Sequence, residues 1–411
     1  MRLLHTKRLE FGEFWDSSVP EYAILSHRWG TDEISYLELQ YLINEANQNS
    51  NLVSPALYFL KPKNKAGNGL AKIRRARRTA RKAGFDWIWI DTCNIDKSSS
   101  SELTEAINSM FKYYQNSAVC YAFLQDVTKP GKLFEKSGEK LKQFFASIWW
   151  TRGFTLQELL APKKVIFLDD HWQEFGTKQE LASLIRDRTT ITEHYLEDAE
   201  NLRTCCVAKK MSWASSRKTS RVEDAAYSLM GLFDVNMPLL YGEGNKAFLR
   251  LQEEIIRRSD DQTIFMHEGD DLLAKSVADF RPFEDHVSRG FPAKFYLNYG
   301  FLNKAYAVTN KGVEMTVPFI ELEGPETESL TGSKAAKSGM KYRVLLLDCH
   351  FDGMDRPCLL PVRRYVMTTG QDNKWTKCLP KSSQGVAAMA KAMDLITTRP
   401  MAYEWDTFYV D

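Results

Sequence analysis

Four short runs near the start of the chain are almost continuously apolar and rich in β-branched and aromatic residues. They are EYAILSH from Glu21, FDWIWID from Phe85, AVCYAFLQD from Ala118 and KKVIFLD from Lys163. Runs of this kind without polar alternation predict strands covered on both faces. Helical spacing separates them. LAKIRRARRTARKAG repeats apolar positions at Ile73, Ala76, Ala80 and Ala83 and ends at Gly84, a favoured C-cap residue. SSSELTEAINSMFKYYQNS opens on serines suited to an N-cap, with acids in its first turn. KLKQFFASIWWTRGFTLQELLAP reads as helical up to Pro162. Within it Trp150, Phe154 and Glu158 recur every fourth residue, a spacing that puts all three on one helical face. Strands alternating with helices predict a parallel, three-layer α/β sheet over residues 1–175.

The rhythm changes twice further on. Residues 43–70 interrupt it and read as a long loop or insertion. Residues 176–262 are predominantly helical in pattern, with TKQELASLIRDR behind a Thr cap and with SRVEDAAYSLMGLF and GNKAFLRLQEEIIRRSDD at helical spacing. Over 263–411, AYAVTNKGVEMTVPFIELE, YRVLLLDCHFDG and CLLPVRRYVMT alternate like antiparallel strands, with a turn signal at Asn310-Lys311-Gly312. The stretch GPETESLTGSKAAKSG between them has loop composition. The organisation expected is an α/β domain, a helical extension and a β-rich C-terminal domain.

Composition narrows the classes. The 411 residues exceed one ordinary core. A 44% hydrophobic and 26% charged chain is a folded globular one. The 55 basic residues nearly cancel the 53 acidic ones, so no global attraction draws the chain to nucleic acid or to an anionic membrane. No apolar run reaches the length of a membrane helix. MRLLHTKRLEFGEF places charges where a signal peptide needs its apolar core. Seven cysteines, an odd number without a CxxC pair, support neither a zinc site nor a disulfide framework. A reduced, cytoplasmic setting is the expectation.

In open parallel sheets ligands bind beyond the carboxyl ends of the strands. The first predicted strand ends in Ser26-His27-Arg28-Trp29 and the second in Asp91-Thr92-Cys93-Asn94. Asp91 suits a ligand hydroxyl or a nearby arginine, or an Asx turn closing the strand. Cys93 suits either a nucleophile or a small buried residue. The GxxxxGK[ST] and GxSxG patterns are missing. GEGNKA at Gly242 reads as the turn that starts a helix, and the basic run from Lys72 to Lys82 as the solvated face of an amphipathic helix.

In order, YAILSHRWG, WIWIDTCNIDKSSSSELTEAINSMFKYYQNSAVCYAFL and WWTRGFTLQELLAP resemble the three blocks of the fungal heterokaryon-incompatibility (HET) domain. RVEDAAYSLMGLFDVNMPLLYGEGNKAFLRLQEEI resembles the usual continuation. The likeness covers about residues 1–265 and is greatest to the vegetative incompatibility type. It implies a cell-death effector in non-self recognition, with a fold distantly related to the TIR domain and so to flavodoxin-like sheets.

Many TIR domains cleave the nicotinamide–ribose bond of NAD with a glutamate in a Trp-Cys-x-x-Glu-Leu-like motif. FTLQEL aligns Glu158 with that position. The resemblance thus implies NAD or a related nucleotide as substrate and Glu158 as the catalytic group, with no bound cofactor or metal. Trp29 or Trp150 would stack on a base, and Arg28 or Arg152 would meet the pyrophosphate. Ser26, His27, Asp91 and Cys93 complete the expected site. Homo-oligomerisation on activation and an NLR-like partner are implied as well. The alternative is a non-enzymatic domain that acts by self-association or recruitment, with Glu158 in a structural or interface role.

Overall fold

The computed structural model describes residues 1–48, 67–129, 138–268, 271–283, 287–289, 306–310, 312–322, 340–351, 357–365, 374–377 and 404–410. Two compact units divide the chain. One comprises Met1–Arg203 with Arg217–Leu239, the other Thr204–Ser216 with Leu240–Asp411.

The first unit is built on seven strands: β1 (Arg2–His5), β2 (Phe11–Glu13), β3 (Tyr22–His27), β4 (Trp87–Trp89), β5 (Val119–Phe123), β6 (Val165–Leu168) and β7 (Glu174–Thr177). Their order is β2-β1-β4-β3-β5-β6-β7. The inner strands β4, β3, β5 and β6 are parallel and are the four apolar runs of the sequence. β1, β2 and β7 extend the sheet antiparallel at its edges. Among the parallel strands the order is second-first-third-fourth, that of doubly wound flavodoxin-like sheets, and it reverses direction between β3 and β5.

Helices α1 (Tyr36–Gln48), α2 (Gly67–Lys82), α3 (Asp91–Asn94), α4 (Ser100–Gln115), α5 (Glu139–Ala146) and α6 (Thr155–Leu160) connect and flank these strands. On one face Leu39 and Ile43 of α1 and Ile73, Ala76 and Ala80 of α2 join Ala23, Leu25, Ile88 and Tyr121 in one buried cluster. Of the basic run of α2, Arg75, Arg78, Arg81 and Lys82 form the expected exposed face, whereas Lys72 turns to Glu33 and Arg77 to the His5 carbonyl. Ala83 departs from that stripe: it is exposed, because the helix ends at Lys82 and Gly84 turns the chain at φ +93°. Ser99 caps α4 by accepting from the Glu102 N–H. On the opposite face Trp89 packs against Tyr113 and Tyr114 of α4, while Phe144 and Trp149 meet Phe167.

Two local readings are corrected. Ile43–Gln48 belong to α1 and Gly67–Leu70 to α2, so only residues 49–66 of the expected loop remain, and these lie outside the described residues. The stretch before Pro162 is not one helix. It breaks into α5, a 3-10 turn over Ile148–Thr151, an extended Arg152 and α6. The backbone of Lys218 competes for its hydrogen bonds, donating to the Thr151 carbonyl and accepting from the Gly153 N–H. Gly153 permits that approach, because a Cβ there would stand 2.5 Å from Thr219 Cγ2.

The same unit continues into α7 (Ala182–Thr189) and α8 (Glu193–Glu197), and the returning segment Arg217–Leu239 carries α10 (Asp224–Tyr227). The second unit contains α9 (Val207–Ala214), α11 (Lys246–Arg258) and a sheet of β8 (Val287–Arg289), β9 (Ala307–Thr309), β10 (Gly312–Leu322), β11 (Met340–Phe351), β12 (Pro357–Tyr365), β13 (Lys374–Lys377) and β14 (Glu404–Val410). Pairing runs β11-β12-β13-β14-β10 and returns from β10 to β11, closing five strands on themselves. Closure removes the exposed edges that such a sheet would otherwise carry. The expected loop 324–339 lies outside the described residues. No described helix is long and apolar enough to cross a membrane.

Candidate functional site

Side chains alternate along a strand, so neighbours at the end of β3 address opposite faces of the sheet. Ser26 looks toward α4 and α6; His27 looks toward α1 and α2. Both lie beside β5, paired with Ala122 and Phe123, where the sheet reverses its winding.

On the first face Ser26 Oγ donates to Glu158 Oε2 at 2.5 Å and accepts from Trp149 Nε1 at 2.8 Å. Glu158, in α6, is only 5% exposed. Burial, then repulsion from Asp91, raises its carboxyl to about 8, against the opposing pull of the Ser26 hydroxyl, Arg217 and Arg152. In the free protein at neutral pH this group is therefore mostly a neutral acid. Tyr114 donates to the Leu25 carbonyl at 3.1 Å, and burial, with Glu158 nearby, pushes its phenol well up. Arg217 fixes the strap leading into α6, donating to the Arg152 carbonyl and to Thr155 Oγ1, both at 2.9 Å. Thr155 Oγ1 in turn donates to the Trp149 carbonyl at 2.7 Å. Lys178, fully buried, donates to the Leu159 and Pro162 carbonyls at the other end of the helix.

On the second face His27 Nε2 stands 3.8 Å from both Glu33 Oε2 and Asp91 Oδ1. That is beyond hydrogen-bond reach. Burial, with Lys72 and Lys97 nearby, drives the imidazole well below its usual value, so it is neutral and these are not ion pairs. The other oxygen of each carboxylate is engaged. Glu33 Oε1 takes Lys72 Nζ and the Gly30 N–H; Asp91 Oδ2 takes Trp29 Nε1 at 2.6 Å. Lys97 Nζ lies 3.4 Å above the half-exposed Trp29 ring. Burial also raises the Asp91 carboxyl.

The fold thus brings Ser26, His27, Trp29, Asp91 and Glu158 to one sheet edge, and Asp91 links the two faces electrically. Cys93 is a core residue: it belongs to the apolar cluster beneath α1 and α2, and burial pushes its thiol up, away from the reactive thiolate. Trp150 is likewise buried, donating to the Phe144 carbonyl and packing on Phe144, Trp149 and Phe167. It shares no helical face with Glu158, because the chain is extended between them. Arg152 donates to Ser220 Oγ at 3.3 Å, and the Arg28 carbonyl accepts from Lys72.

Glu33, Lys72, Lys97, Trp149, Tyr114 and Arg217 were not singled out in the sequence. Glu33 follows the motif YAILSHRWG by three residues, a signal that was there to use. The others reach the site only through the fold.

Two other features compete for attention. A cavity of about 160 Å³ lies between Trp15, Trp89, Arg2, Glu102 and Tyr113, and neither Glu158 nor His27 lines it. Its guanidinium, Arg2, is already bound by Glu13 and Glu102. Asp169, Asp170 and His171 bring one ligand atom each within 4.8 Å. Asp169 is held there by Lys140 and by the N–H groups of His171 and Gln173, which is the work of a turn. Chemistry is best supported at the strand ends.

Residues 22–137 match the family model described as Heterokaryon incompatibility protein (HET). Over 240 residues the chain is 40% identical to the vegetative incompatibility protein HET-E-1 of Podospora anserina. That stretch is 58% of this chain but 16% of the relative, so the chain spans well under two thirds of the relative's length. No solved structure matches. The matched segment contains β3, β4 and β5 with Ser26, His27, Glu33 and Asp91, whereas Glu158 follows it. The chain therefore carries a heterokaryon-incompatibility (HET) domain, and the second-face cluster lies within it.

Proposed function

We propose that the first unit hydrolyses the nicotinamide–ribose bond of NAD or a related nucleotide, with Glu158 as the catalytic carboxylate, and that this reaction serves a cell-death response in non-self recognition. The observation that carries the reading is the Glu158 carboxyl held against Ser26 at the strand ends, beside the point where the sheet reverses. Glu158 is also the residue that the likeness to TIR domains puts in the catalytic role.

Cleavage of the bond builds positive charge on the ribose in an oxocarbenium-like transition state. Water adds to the anomeric carbon, nicotinamide departs as a neutral base, and one proton is released. A fixed, ionised carboxylate in a dry setting stabilises that charge more than it stabilises the ground state. Nicotinamide leaves without a proton, so no partner acid is needed. Glu158 must ionise to act. The cationic nicotinamide ring of a bound substrate favours that ionisation by the same Coulombic attraction that the buried site lacks when free.

The test is release of nicotinamide from NAD by the full chain. Glu158→Gln keeps an acceptor for Ser26 and removes the charge; loss of release by 10³-fold or more with melting no lower than wild type supports the assignment. Full turnover by the variant sinks it. A buried, neutral acid bonded to a serine also suits a purely structural role, in which the domain acts by assembly or recruitment. Undiminished toxicity of Glu158→Gln in cells would favour that second reading.

A further inference from the structure

We propose that His27, Glu33 and Asp91 form a receptor for the vicinal hydroxyls of a ribose, and that this ribose is the adenosine one of the dinucleotide. The inference rests on the NAD reading for its choice of ligand, but its observations are separate. Three segments contribute: the last residue of β3, the loop after it, and the first residue of α3.

Both ring nitrogens of His27, Glu33 Oε2 and Asp91 Oδ1 are buried and have no hydrogen-bond partner among the described residues, although the remaining oxygen of each carboxylate is bound. The imidazole side chain is wholly buried, and its Nε2 is equally far from the two free oxygens. A spacing of 3.8 Å is too long for a direct bond. It suits a bridging hydroxyl, since an oxygen about 2.8 Å from both atoms closes the triangle.

The charges select among ligands. Carboxylates only accept, so they call for donors, whereas a neutral imidazole offers one N–H. A hydroxyl gives to a carboxylate and takes from that N–H. An anion at this point would face two carboxylates. A metal cation would have to displace or tolerate Lys72, already bound to Glu33, and the nearby Lys97. A neutral diol meets neither obstacle, and a carboxylate at a strand end that accepts from a ribose hydroxyl is a recurrent device of doubly wound sheets.

Geometry then distinguishes the two riboses of a dinucleotide. His27 and Glu158 lie on opposite faces of one sheet edge, joined electrically through Asp91. The ribose undergoing cleavage belongs at Glu158, so the receptor holds the other. Trp29, bonded to Asp91 and half-exposed, borders it.

Calorimetric titration of the full chain with ADP-ribose tests the assignment, because glycoside hydrolysis does not consume that probe. ADP-ribose should bind, and removing the adenosine 2′ and 3′ hydroxyls should weaken binding tenfold or more. Glu33→Gln and Asp91→Asn should each weaken ADP-ribose similarly and bind the dideoxy probe no worse than wild type does, as expected for contacts made to the missing groups. No binding of ADP-ribose, or equal binding of the two probes by wild type, overturns the receptor, and the probe comparison requires no variant to fold.

The two readings fail separately. Diol-dependent binding without nicotinamide release leaves the receptor standing and removes the glycohydrolase. Nicotinamide release with an unchanged KM in both variants removes the receptor alone.

Discussion

Replacing Glu158 by glutamine takes away a proton that the folded protein holds and the unfolded chain gives up. Burial beside Asp91 raises this carboxyl from its ordinary 4.5 to about 8. At about 1.4 kcal/mol per tenfold change, that shift corresponds to roughly 5 kcal/mol of differential proton binding. The direction follows from linkage. Below pH 4.5 both states are protonated, and the site contributes no pH dependence. Between 4.5 and about 8 the unfolded chain ionises while the folded one does not, so stability falls with rising pH by about 1.4 kcal/mol per pH unit. Above 8 both states are ionised and the loss is complete. Glutamine keeps the shape and an acceptor for Ser26 but has no proton to lose. Urea denaturation of wild type and Glu158→Gln between pH 5.5 and 8.5 should show the variant gaining on wild type across the range, with the gain levelling off near pH 8. A stability difference that does not change with pH would refute the reasoning, because it would mean that Glu158 ionises in the folded state as readily as in water.

The same ionisation governs chemistry in the proposed reaction: kcat/KM for NAD should climb about tenfold per pH unit and flatten near 8, and a flat profile from pH 5.5 would exclude Glu158 as the titrating group. Ser26→Ala should cost about 1–3 kcal/mol by stranding the Trp149 indole N–H and one Glu158 oxygen, read as a lowered urea midpoint. It should also move the Glu158 titration upward, since the hydroxyl holds that carboxyl down. Gly153→Ala brings a Cβ to 2.5 Å from Thr219 Cγ2 and should destabilise by roughly 1–3 kcal/mol; an unchanged melting temperature would show that the strap at Lys218 yields freely.

Glu158 is a group whose ionisation the fold opposes and the proposed chemistry requires. Such opposition is common where a buried acid is put to use, and it carries a cost in stability at the pH where the site would work.

Much of the central sheet was legible because its signals are local. Tyr22–His27, Trp87–Trp89, Val119–Phe123 and Val165–Leu168 are short, apolar and bounded by polar turns, and a strand buried on both faces has little other way to be written. The caps at Ser99 and Gly84 were readable for the same reason. The edge strands β1 and β2 were not, because MRLLHTKRLEFGEF mixes charge and apolar residues, and its pairing partner, β4, lies some 80 residues away.

The candidate site divides along the same line. Sequence alone determined which residues end the strands, and so placed Ser26, His27 and Asp91 where ligands of parallel sheets bind. It also drew attention to Glu158, through the likeness of FTLQEL and through a helical face that keeps Phe154 but loses Trp150. Only the tertiary structure decided that Lys218 interrupts that helix, that Trp149 rather than Trp150 reaches Ser26, and that Glu33 and Lys72 meet at His27. Strand and cap preferences act over a few neighbouring residues and survive in any one segment. Hydrogen bonds between segments, and the burial that moves a carboxyl from 4.5 to about 8, exist only once distant parts of the chain have excluded water together.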